Sequence, residues 1–367
     1  MSVALRTARA FALVVGAGAL GGIALPALVA GELPVGAIPP GSRSVSMTLR
    51  ASPTPTTGPM STTELRAIAL LRRAAAAGAN QAYSGTQFVT SWSTAGTSSV
   101  VVDLQHLPGH GVLARLSGAN AARPADDQAA AALDPRALAV LERYYALSVT
   151  DQPSQCAGHP AEVVEARPRG SSAVVGRFWL DQLSGLVLRR ELYDRSGRTV
   201  RAAAFVNVAM SVPQPWAAPS QAAARDTGAS LGAPEIADLR RAGWQAPERA
   251  GGLELFDARS HLGVLHLSYT DGLFAVSVFS QPGRLNPDSI KGWQPVRLAG
   301  TPVWTRPGLS GRVVWSQGGW VHTAVADAPD AVVTATVAAF TGSARESFGH
   351  RIRRGLARMG SWVDPTS

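Results

Sequence analysis

Residues 174–208 read VVGRFWLDQLSGLVLRRELYDRSGRTVRAAAFVNV. Runs rich in valine, leucine and aromatic residues alternate here with two short polar connections, each of which ends in a glycine, Gly185 or Gly197. Glycine accepts the positive φ that tight hairpin turns demand, and aspartate and serine hydrogen-bond their own backbone in such turns. The stretch therefore predicts three consecutive antiparallel strands, over Val174–Asp181, Leu186–Tyr193 and Arg198–Val208.

Side chains alternate between the two faces of a strand, so the meander should have an apolar face and a solvated face. The predicted apolar face collects Phe178, Leu180, Leu186, Leu188, Leu192, Val200, Ala204, Val206 and Val208. The predicted solvated face collects Arg177, Trp179, Asp181, Arg189, Glu191, Tyr193 and Arg201. A sheet with one apolar side needs helices or a second layer to cover that side.

The composition is that of a globular protein with room for two domains. The chain has 367 residues and a formal charge of +9, from 34 basic and 25 acidic residues. Most arginines are scattered rather than clustered with aromatic residues, so the charge does not predict nucleic-acid binding. Cys156 is the only cysteine, which rules out an intrachain disulfide and cysteine-rich metal sites.

The first thirty residues have the parts of an export signal. Arg6 and Arg9 precede an uncharged apolar stretch that extends to Ala30. About 20 apolar residues can also span a bilayer, so 1–30 is either a signal peptide or an N-terminal membrane anchor. In both cases we expect the rest of the chain to be extracytoplasmic, in the periplasm or cell envelope. Residues 31–60 are rich in proline, serine and threonine and are expected to form a tether.

The region 61–209 should form the first folded domain. Ser61 and Glu64 fit a capping box, in which each side chain caps the other residue's backbone, and the helix that follows is predicted to stop at Gly78. Strands follow from Tyr83, with Phe88 and Trp92 on one face and Val89 on the other, and we expect His106 and His110 to lie in an exposed loop. A second helix should begin at Asp134-Pro135, with the aspartate as its N-cap.

A linker over 210–234 should separate this domain from a smaller α+β domain over 235–342. The sequence Thr270-Asp271-Gly272 is typical of a hairpin turn, and it lies between two predicted strands near Val264–Tyr269 and Phe274–Phe279. A helix is predicted over Asp330–Phe340.

The chain ends in a basic tail over 343–367. Four large apolar residues recur there at helical spacing: Phe348, Ile352, Leu356 and Met359. Four arginines lie around the rest of the predicted helix and are candidates for contact with a membrane or a partner: Arg351, Arg353, Arg354 and Arg358. A solvated helix that packs on its own domain is the alternative interpretation.

Three stretches resemble the MucB/RseB family of sigma-factor regulatory proteins. They are Tyr83-Ser84-Gly85-Thr86, the meander from Phe178-Trp179-Leu180-Asp181 through Gly197, and His266–Leu273 followed by Ala275–Phe279. The predicted order also agrees, with an export signal, a helix, a sheet meander, a linker and a small α+β domain. The resemblance spans roughly 65–340, but the proline-rich tether and the basic tail depart from the family pattern.

The resemblance implies an α+β fold in two parts. The N-terminal part would be a curved antiparallel half-barrel closed by helices, similar to lipoprotein carriers, and it would be linked to a smaller C-terminal α+β domain. The family members bind the extracytoplasmic part of a membrane anti-sigma factor and restrain an envelope-stress response, with lipid as the suggested signal. If an acyl chain is bound, the resemblance suggests that four residues line its cavity: Phe178, Leu180, Leu188 and Val206.

The sequence shows no recognisable set of catalytic residues. The sequence has no H-E-x-x-H and no phosphate-binding loop, so it predicts neither an enzyme nor a cofactor or metal site. The first functional hypothesis is an exported regulator that binds an anti-sigma factor. The second is a lipid or lipoprotein carrier with the same fold but no fixed protein partner.

Overall fold

In the computed structural model, which describes residues 60–116, 123–124, 133–216, 229–306, 308 and 310–341, two antiparallel sheets dominate and helices cover them. The N-terminal sheet has ten strands, and nine of them form one open path, β4-β3-β2-β1-β10-β9-β8-β7-β5. Its strands are β1 Tyr83–Ser93, β2 Gly96–Leu107, β3 Gly111–Leu116, β4 Arg123–Pro124, β5 Tyr145–Val149, β6 Ser154–Cys156, β7 His159–Pro168, β8 Gly176–Asp181, β9 Val187–Tyr193 and β10 Thr199–Ala209.

The predicted meander is confirmed as β8, β9 and β10, within two residues at each boundary. Gly185 and Gly197 have φ of 83° and 81°, in the left-handed region that the two tight turns require. The Asp194 carboxylate accepts hydrogen bonds from the backbone N–H of Ser196 and of Arg198, which fixes the second turn. Local turn chemistry therefore sets the register of these three strands.

Two helices pack on one face of this sheet, α1 Thr62–Asn80 and α2 Pro135–Tyr144. Both predicted N-caps are present, because Ser61 Oγ accepts from Glu64 N at 3.1 Å and Asp134 Oδ1 accepts from Arg136 N at 2.8 Å. The second half of the capping box was wrong. Glu64 does not cap Ser61 but accepts a hydrogen bond from Arg169, and α1 continues two residues beyond Gly78.

The C-terminal sheet has nine strands, of which eight follow the order β11-β13-β14-β15-β19-β18-β17-β16. They are β11 Ala229–Ser230, β12 Arg249–Ala250, β13 Leu253–His261, β14 Val264–Thr270, β15 Ala275–Pro282, β16 Gln294–Leu298, β17 Thr301–Arg306, β18 Gly311–Gln317 and β19 Trp320–Asp327. Two helices, α3 Ala233–Arg241 and α4 Asp330–Thr341, and a 3₁₀ turn, Pro287–Ile290, complete this part. The fold is thus α+β with two open antiparallel sheets, as predicted.

The predicted faces of the meander need correction in β10. The face of the N-terminal sheet on which α1 and α2 pack is called the covered face. Cross-strand pairing places Arg190, Ala203 and Val89 in one row on this face. Arg201, predicted on the solvated face, is instead buried there, and Val206, predicted on the apolar face, is 61% exposed. Two register shifts are the cause, one between Thr86 and Gln87 of β1 opposite β10 and one between Thr199 and Arg201 of β10 opposite β9. The alanine-rich sequence of β10 also makes its two faces look alike.

Two other residues of the meander also differ from their predicted positions. Ala204, placed on the apolar face by the sequence, pairs with Arg189 on the opposite side of the sheet. Asp181, placed on the solvated face, is buried and accepts hydrogen bonds from the backbone N–H and hydroxyl of Ser184. This carboxylate closes the first turn of the meander, because its acceptor atoms satisfy the turn's donors.

Among the described residues, no helix combines the length and apolar character needed to cross a membrane.

Candidate binding surfaces and the junction between the sheets

The covered face of the N-terminal sheet holds three of the four predicted cavity residues. Phe178, Leu180 and Leu188 are each at most 2% exposed and belong to one core with Leu71 of α1. Val206 lies apart from them, exposed on the other side of the sheet. The predicted contact arginines at positions 351, 353, 354 and 358 lie outside the described residues.

A loop of the C-terminal sheet, Thr270–Phe274, completes the cover of this face. A Cβ on Gly272 would lie 2.3 Å from the backbone N of Leu141 in α2, so only glycine fits at that contact. The neighbouring Leu273 side chain packs on Gly176 of β8, where an added Cβ would lie 2.7 Å from Leu273 Cδ1. The loop is therefore wedged between a helix and a strand of the other sheet, and we call this contact the junction.

The loop conformation is held from both sides of the junction. The buried Asp271 carboxylate accepts hydrogen bonds from Leu273 N at 2.9 Å and Phe274 N at 2.8 Å within its own turn. It also accepts from Tyr145 Oη, at the start of β5, at 2.6 Å. Burial raises the pKa of Asp271, and burial together with this nearby carboxylate raises the pKa of Tyr145.

Buried charges from both sheets meet at the junction. Arg190 of β9 donates to the carbonyl of Leu273, and burial lowers its pKa against the opposing effect of Asp327. Arg201 of β10 pairs with Asp327 of β19 at 3.3 Å, and both side chains are at most 7% exposed. Removal of one member of such a pair leaves a desolvated charge, so these contacts strongly favour the observed arrangement of the two sheets.

More exposed contacts surround this centre. Glu254 of β13 accepts from Arg143 and from Tyr144 Oη of α2, and Arg249 Nη1 donates to the same tyrosine oxygen at 2.9 Å. On the far side, Thr94 N donates to Asp330 Oδ2 at 2.7 Å, so the β1–β2 turn touches the start of α4. The two sheets are joined at several separated points rather than at one flexible hinge.

The outer face of the N-terminal sheet, opposite the helices, has two unlike halves. Over β7, β8 and β9 it carries ion pairs, such as Arg177 with Glu165 and Arg189 with Glu191, and Arg189 also stacks on Trp179. Over β1, β2 and β10 four large apolar side chains are 39–61% exposed: Phe88, Trp92, Val101 and Val206. Phe88 lies directly opposite Val101, and we call these four residues the outer patch.

The covered face also carries buried polar groups that the sequence did not reveal. Tyr83 and Gln87 of β1 are fully buried, and neither the Tyr83 hydroxyl nor the two polar atoms of the Gln87 amide has a hydrogen-bond partner among the described residues. His106 was predicted in an exposed loop but lies in β2, where it stacks on the Tyr83 ring. Its Nδ1 is 2.7 Å from the Gln81 carbonyl oxygen, so this histidine is a structural residue.

Neither His322 nor Cys156 has the environment of an exposed reactive group. Ser280 Oγ lies 2.8 Å from His322 Nδ1, but both residues are fully buried, and burial lowers the pKa of His322 to about 4. Burial raises the pKa of the Cys156 thiol, which makes it a poorer nucleophile. Within the described part of the chain, no three of the His, Cys, Asp and Glu residues are grouped so as to hold a metal ion.

Comparison with protein families identifies the region that contains the meander. Residues 117–225 match the MucB/RseB N-terminal domain. The resemblance of the meander to the MucB/RseB family is thus confirmed over this region. None of the curated protein sequences matches the chain.

Several solved structures are similar to this chain. A crystal structure of MucB in complex with MucA(peri) is 21% identical, covers 75% of this chain and 97% of its own, and has a TM-score of 0.40. The MucA/MucB complex of Pseudomonas aeruginosa is 22% identical, with coverages of 75% and 97% and a TM-score of 0.38. A putative outer membrane lipoprotein-sorting protein domain from Vibrio parahaemolyticus is 9% identical, with coverages of 41% and 95% and a TM-score of 0.20.

Proposed function

We propose that this protein is an exported, non-enzymatic regulator that binds the extracytoplasmic part of a membrane anti-sigma factor and restrains an envelope-stress sigma-factor response. The observation that carries the proposal is the match of residues 117–225 to the MucB/RseB N-terminal domain. MucB itself is described in complex with MucA(peri) and with MucA. The N-terminal stretch supports an extracytoplasmic location, either as a cleaved signal or as an anchor.

The geometry is suited to binding rather than to chemistry. The junction joins the two sheets through buried groups of both, namely Tyr145 with Asp271 and Arg201 with Asp327. A partner that contacts both sheets would therefore meet a surface whose two halves are already fixed in relative position. Such preorganisation reduces the entropy lost on binding, which favours tight and specific association.

Lipid sensing is the finer part of the proposal. The buried Tyr83 hydroxyl and Gln87 amide would each cost about 1–3 kcal/mol if left unsatisfied, so a polar group of a ligand or a water molecule beside them would be stabilising. Apolar side chains, among them Phe205, surround these two groups on the covered face. An acyl chain with a polar head fits this chemistry, and the same observation supports the alternative function, a lipid or lipoprotein carrier.

In-cell crosslinking of a tagged protein, followed by mass spectrometry of both proteins and lipids, tests the proposal. We expect to recover a single-span membrane protein with a cytoplasmic sigma-binding domain. Gly272→Ala should weaken this recovery because it perturbs the junction, whereas Gly197→Ala, whose added Cβ meets nothing, should not. Lipid or lipoprotein cargo without a membrane protein would contradict the regulator and favour the carrier.

A further inference from the structure

The strands at one edge of the C-terminal sheet carry positive charge without compensating negative charge. From position 289 to position 326, a range that includes β16, β17 and β18, the sequence has no aspartate and no glutamate. Lys291 within this range forms an ion pair with Asp288, which lies just before it. The uncompensated charge is therefore that of three arginines, Arg297, Arg306 and Arg312.

The strand register places these three arginines on one face of the sheet. Arg306 of β17 lies directly opposite Arg312 of β18. Arg297 of β16 lies opposite Pro302, which is four residues before Arg306 and therefore on the same side of β17. Trp304 lies between these two positions on the same face and is partly exposed. We call Arg297, Trp304, Arg306 and Arg312 the basic edge.

Within the described residues, no ion pair joins an arginine of the basic edge to a carboxylate. Arg297 donates to the backbone carbonyl of Gly300 at 2.9 Å. Asp327 of β19 is a carboxylate on the same face, but it is buried and paired with Arg201. The basic edge thus differs from the outer face of the N-terminal sheet over β7, β8 and β9, where arginines are paired with glutamates.

The opposed pair Arg306 and Arg312 is the part of the basic edge that most needs an anion. Like charges directly opposite each other in a sheet repel. Burial lowers the pKa of Arg312, and the neighbouring charge of Arg306 lowers it further. The guanidinium group nevertheless stays protonated in proteins, so an anion that contacts both side chains would relieve the repulsion. Carboxylates match the fork of N–H donors that a guanidinium group presents.

The spacing of the arginines favours an extended acidic segment as the occupant. Four residues along a strand span about 14 Å, so Arg297 lies about that far from the opposed pair Arg306 and Arg312. Carboxylates four residues apart in an extended peptide have the same separation. The sheet fixes the spacing of the arginines, whereas a fluid lipid surface would require no fixed spacing. Between the arginines, Trp304 offers part of its ring to an apolar side chain of such a segment.

We propose that the basic edge binds an extended acidic segment of the protein partner, with carboxylates four residues apart on Arg297 and on the opposed pair Arg306 and Arg312. The inference rests on the proposed function for the identity of the partner, whose extracytoplasmic part would supply this segment. The guanidinium N–H groups donate to the carboxylate oxygens. Since Arg297 and Arg306 are exposed, binding should weaken as the salt concentration rises.

Fluorescence anisotropy with the full-length exported protein tests this chemistry. The probe is a labelled synthetic peptide in which glutamate alternates with threonine. We expect Arg306→Gln with Arg312→Gln to weaken binding at least tenfold, whereas Arg195→Gln, in the exposed β9–β10 turn, should change it less than twofold. The urea midpoint of each variant serves as the control for folding.

Three results of this assay would overturn the proposal. The first is no binding of the peptide, and the second is equal weakening by Arg195→Gln and by the double variant, which would indicate a response to net charge alone. The third is binding of phosphatidylglycerol vesicles in place of the peptide, with the same dependence on Arg306 and Arg312. That result would assign the basic edge to a lipid surface.

Photocrosslinking in cells connects the basic edge to the partner. The photoreactive residue p-benzoylphenylalanine replaces Pro295, which is exposed opposite Trp304, or, as a control, Leu262 in the exposed β13–β14 turn. From position 295, but not from position 262, we expect a crosslink to a protein segment that has carboxylates four residues apart. Arg306→Gln with Arg312→Gln should reduce this crosslink at least tenfold.

The crosslinks also separate a failure of this inference from a failure of the proposed function. Recovery of an anti-sigma factor by the tagged protein without a crosslink from position 295 would overturn the role of the basic edge and leave the proposed function standing. A crosslink from position 295 to an acidic segment of a protein that has no sigma-binding domain would support the basic edge and contradict the proposed function.

Discussion

Substitution of Gly272 by alanine measures how much the junction contributes to stability. Gly272 has a φ of +88°, and an added Cβ would approach Leu141 N to 2.3 Å and Ala137 O to 2.5 Å. Both neighbours are backbone atoms of α2, so they cannot move aside as a flexible side chain would. The loop, the helix or both must shift to admit the methyl group.

The expected cost has two parts. A non-glycine residue in the left-handed region costs about 1–2 kcal/mol. The steric overlap should add roughly 1–3 kcal/mol, as in other overpacked sites. The matched control is Gly197→Ala, which has a similar φ of +81° but meets nothing within 4 Å. We therefore expect the free energy of unfolding to fall by about 2–5 kcal/mol in Gly272→Ala and by only about 1–2 kcal/mol in Gly197→Ala.

Urea unfolding followed by tryptophan fluorescence gives the two free energies, and hydrogen exchange locates the effect. Exchange should accelerate in α2 and in Thr270–Phe274 for Gly272→Ala, but only near the turn at 194–198 for Gly197→Ala. Equal destabilisation by the two substitutions, or unchanged exchange in α2, would refute the idea that the wedged loop holds the sheets together.

Three further predictions concern buried groups. Burial lowers the pKa of His322 from 6.5 to about 4, so the unfolded state binds a proton more readily than the folded state. Its contribution to stability is complete above about pH 6.5, and up to about 3 kcal/mol of it is lost as pH falls toward 4. His322→Gln should reduce the pH dependence of the urea midpoint across this range, and the remainder is expected from His266, whose pKa burial also lowers to about 4. Arg201→Met should lower the free energy of unfolding in urea by about 3–5 kcal/mol. Adding Asp327→Asn should recover part of this loss, because it removes the carboxylate charge that lost its arginine. Additive effects of the two substitutions would contradict the coupling. In the same assay, Leu188→Ala should lower the free energy of unfolding by about 2–5 kcal/mol and Val206→Ser by less than about 0.5 kcal/mol, since only Leu188 is buried. Similar losses in the two variants would contradict the assigned faces of the sheet.

The sequence was sufficient to predict the structure where nearby residues determine it. The meander followed from two glycine turns with aspartate and serine, and the N-caps at Ser61 and Asp134 followed from residue type and spacing. It also placed Phe88 and Trp92 on the face opposite Val89, because neighbouring side chains along a strand point to opposite faces. These features depend on residues within a few positions of each other.

Several of the errors involve residues that are distant in sequence. Glu64 pairs with Arg169 rather than with its own N-cap, and no local signal identifies a partner 105 residues away. The burial of Arg201 depends on Asp327, which belongs to the other sheet. The Thr270-Asp271-Gly272 turn was recognised as a hairpin signal, but its contact with α2 could not be inferred without the fold.

The strand order of the N-terminal sheet also sets the sequence of events in folding. Strand β1 pairs with β10, with Ser84 opposite Ala209, so a centrally placed strand waits for more than 100 residues before its second neighbour is available. The Thr270–Phe274 loop that completes the cover comes later still. Loop closure over such distances slows folding, and an uncovered sheet is prone to aggregation. The incomplete N-terminal sheet therefore exposes its apolar face until the C-terminal sheet has formed.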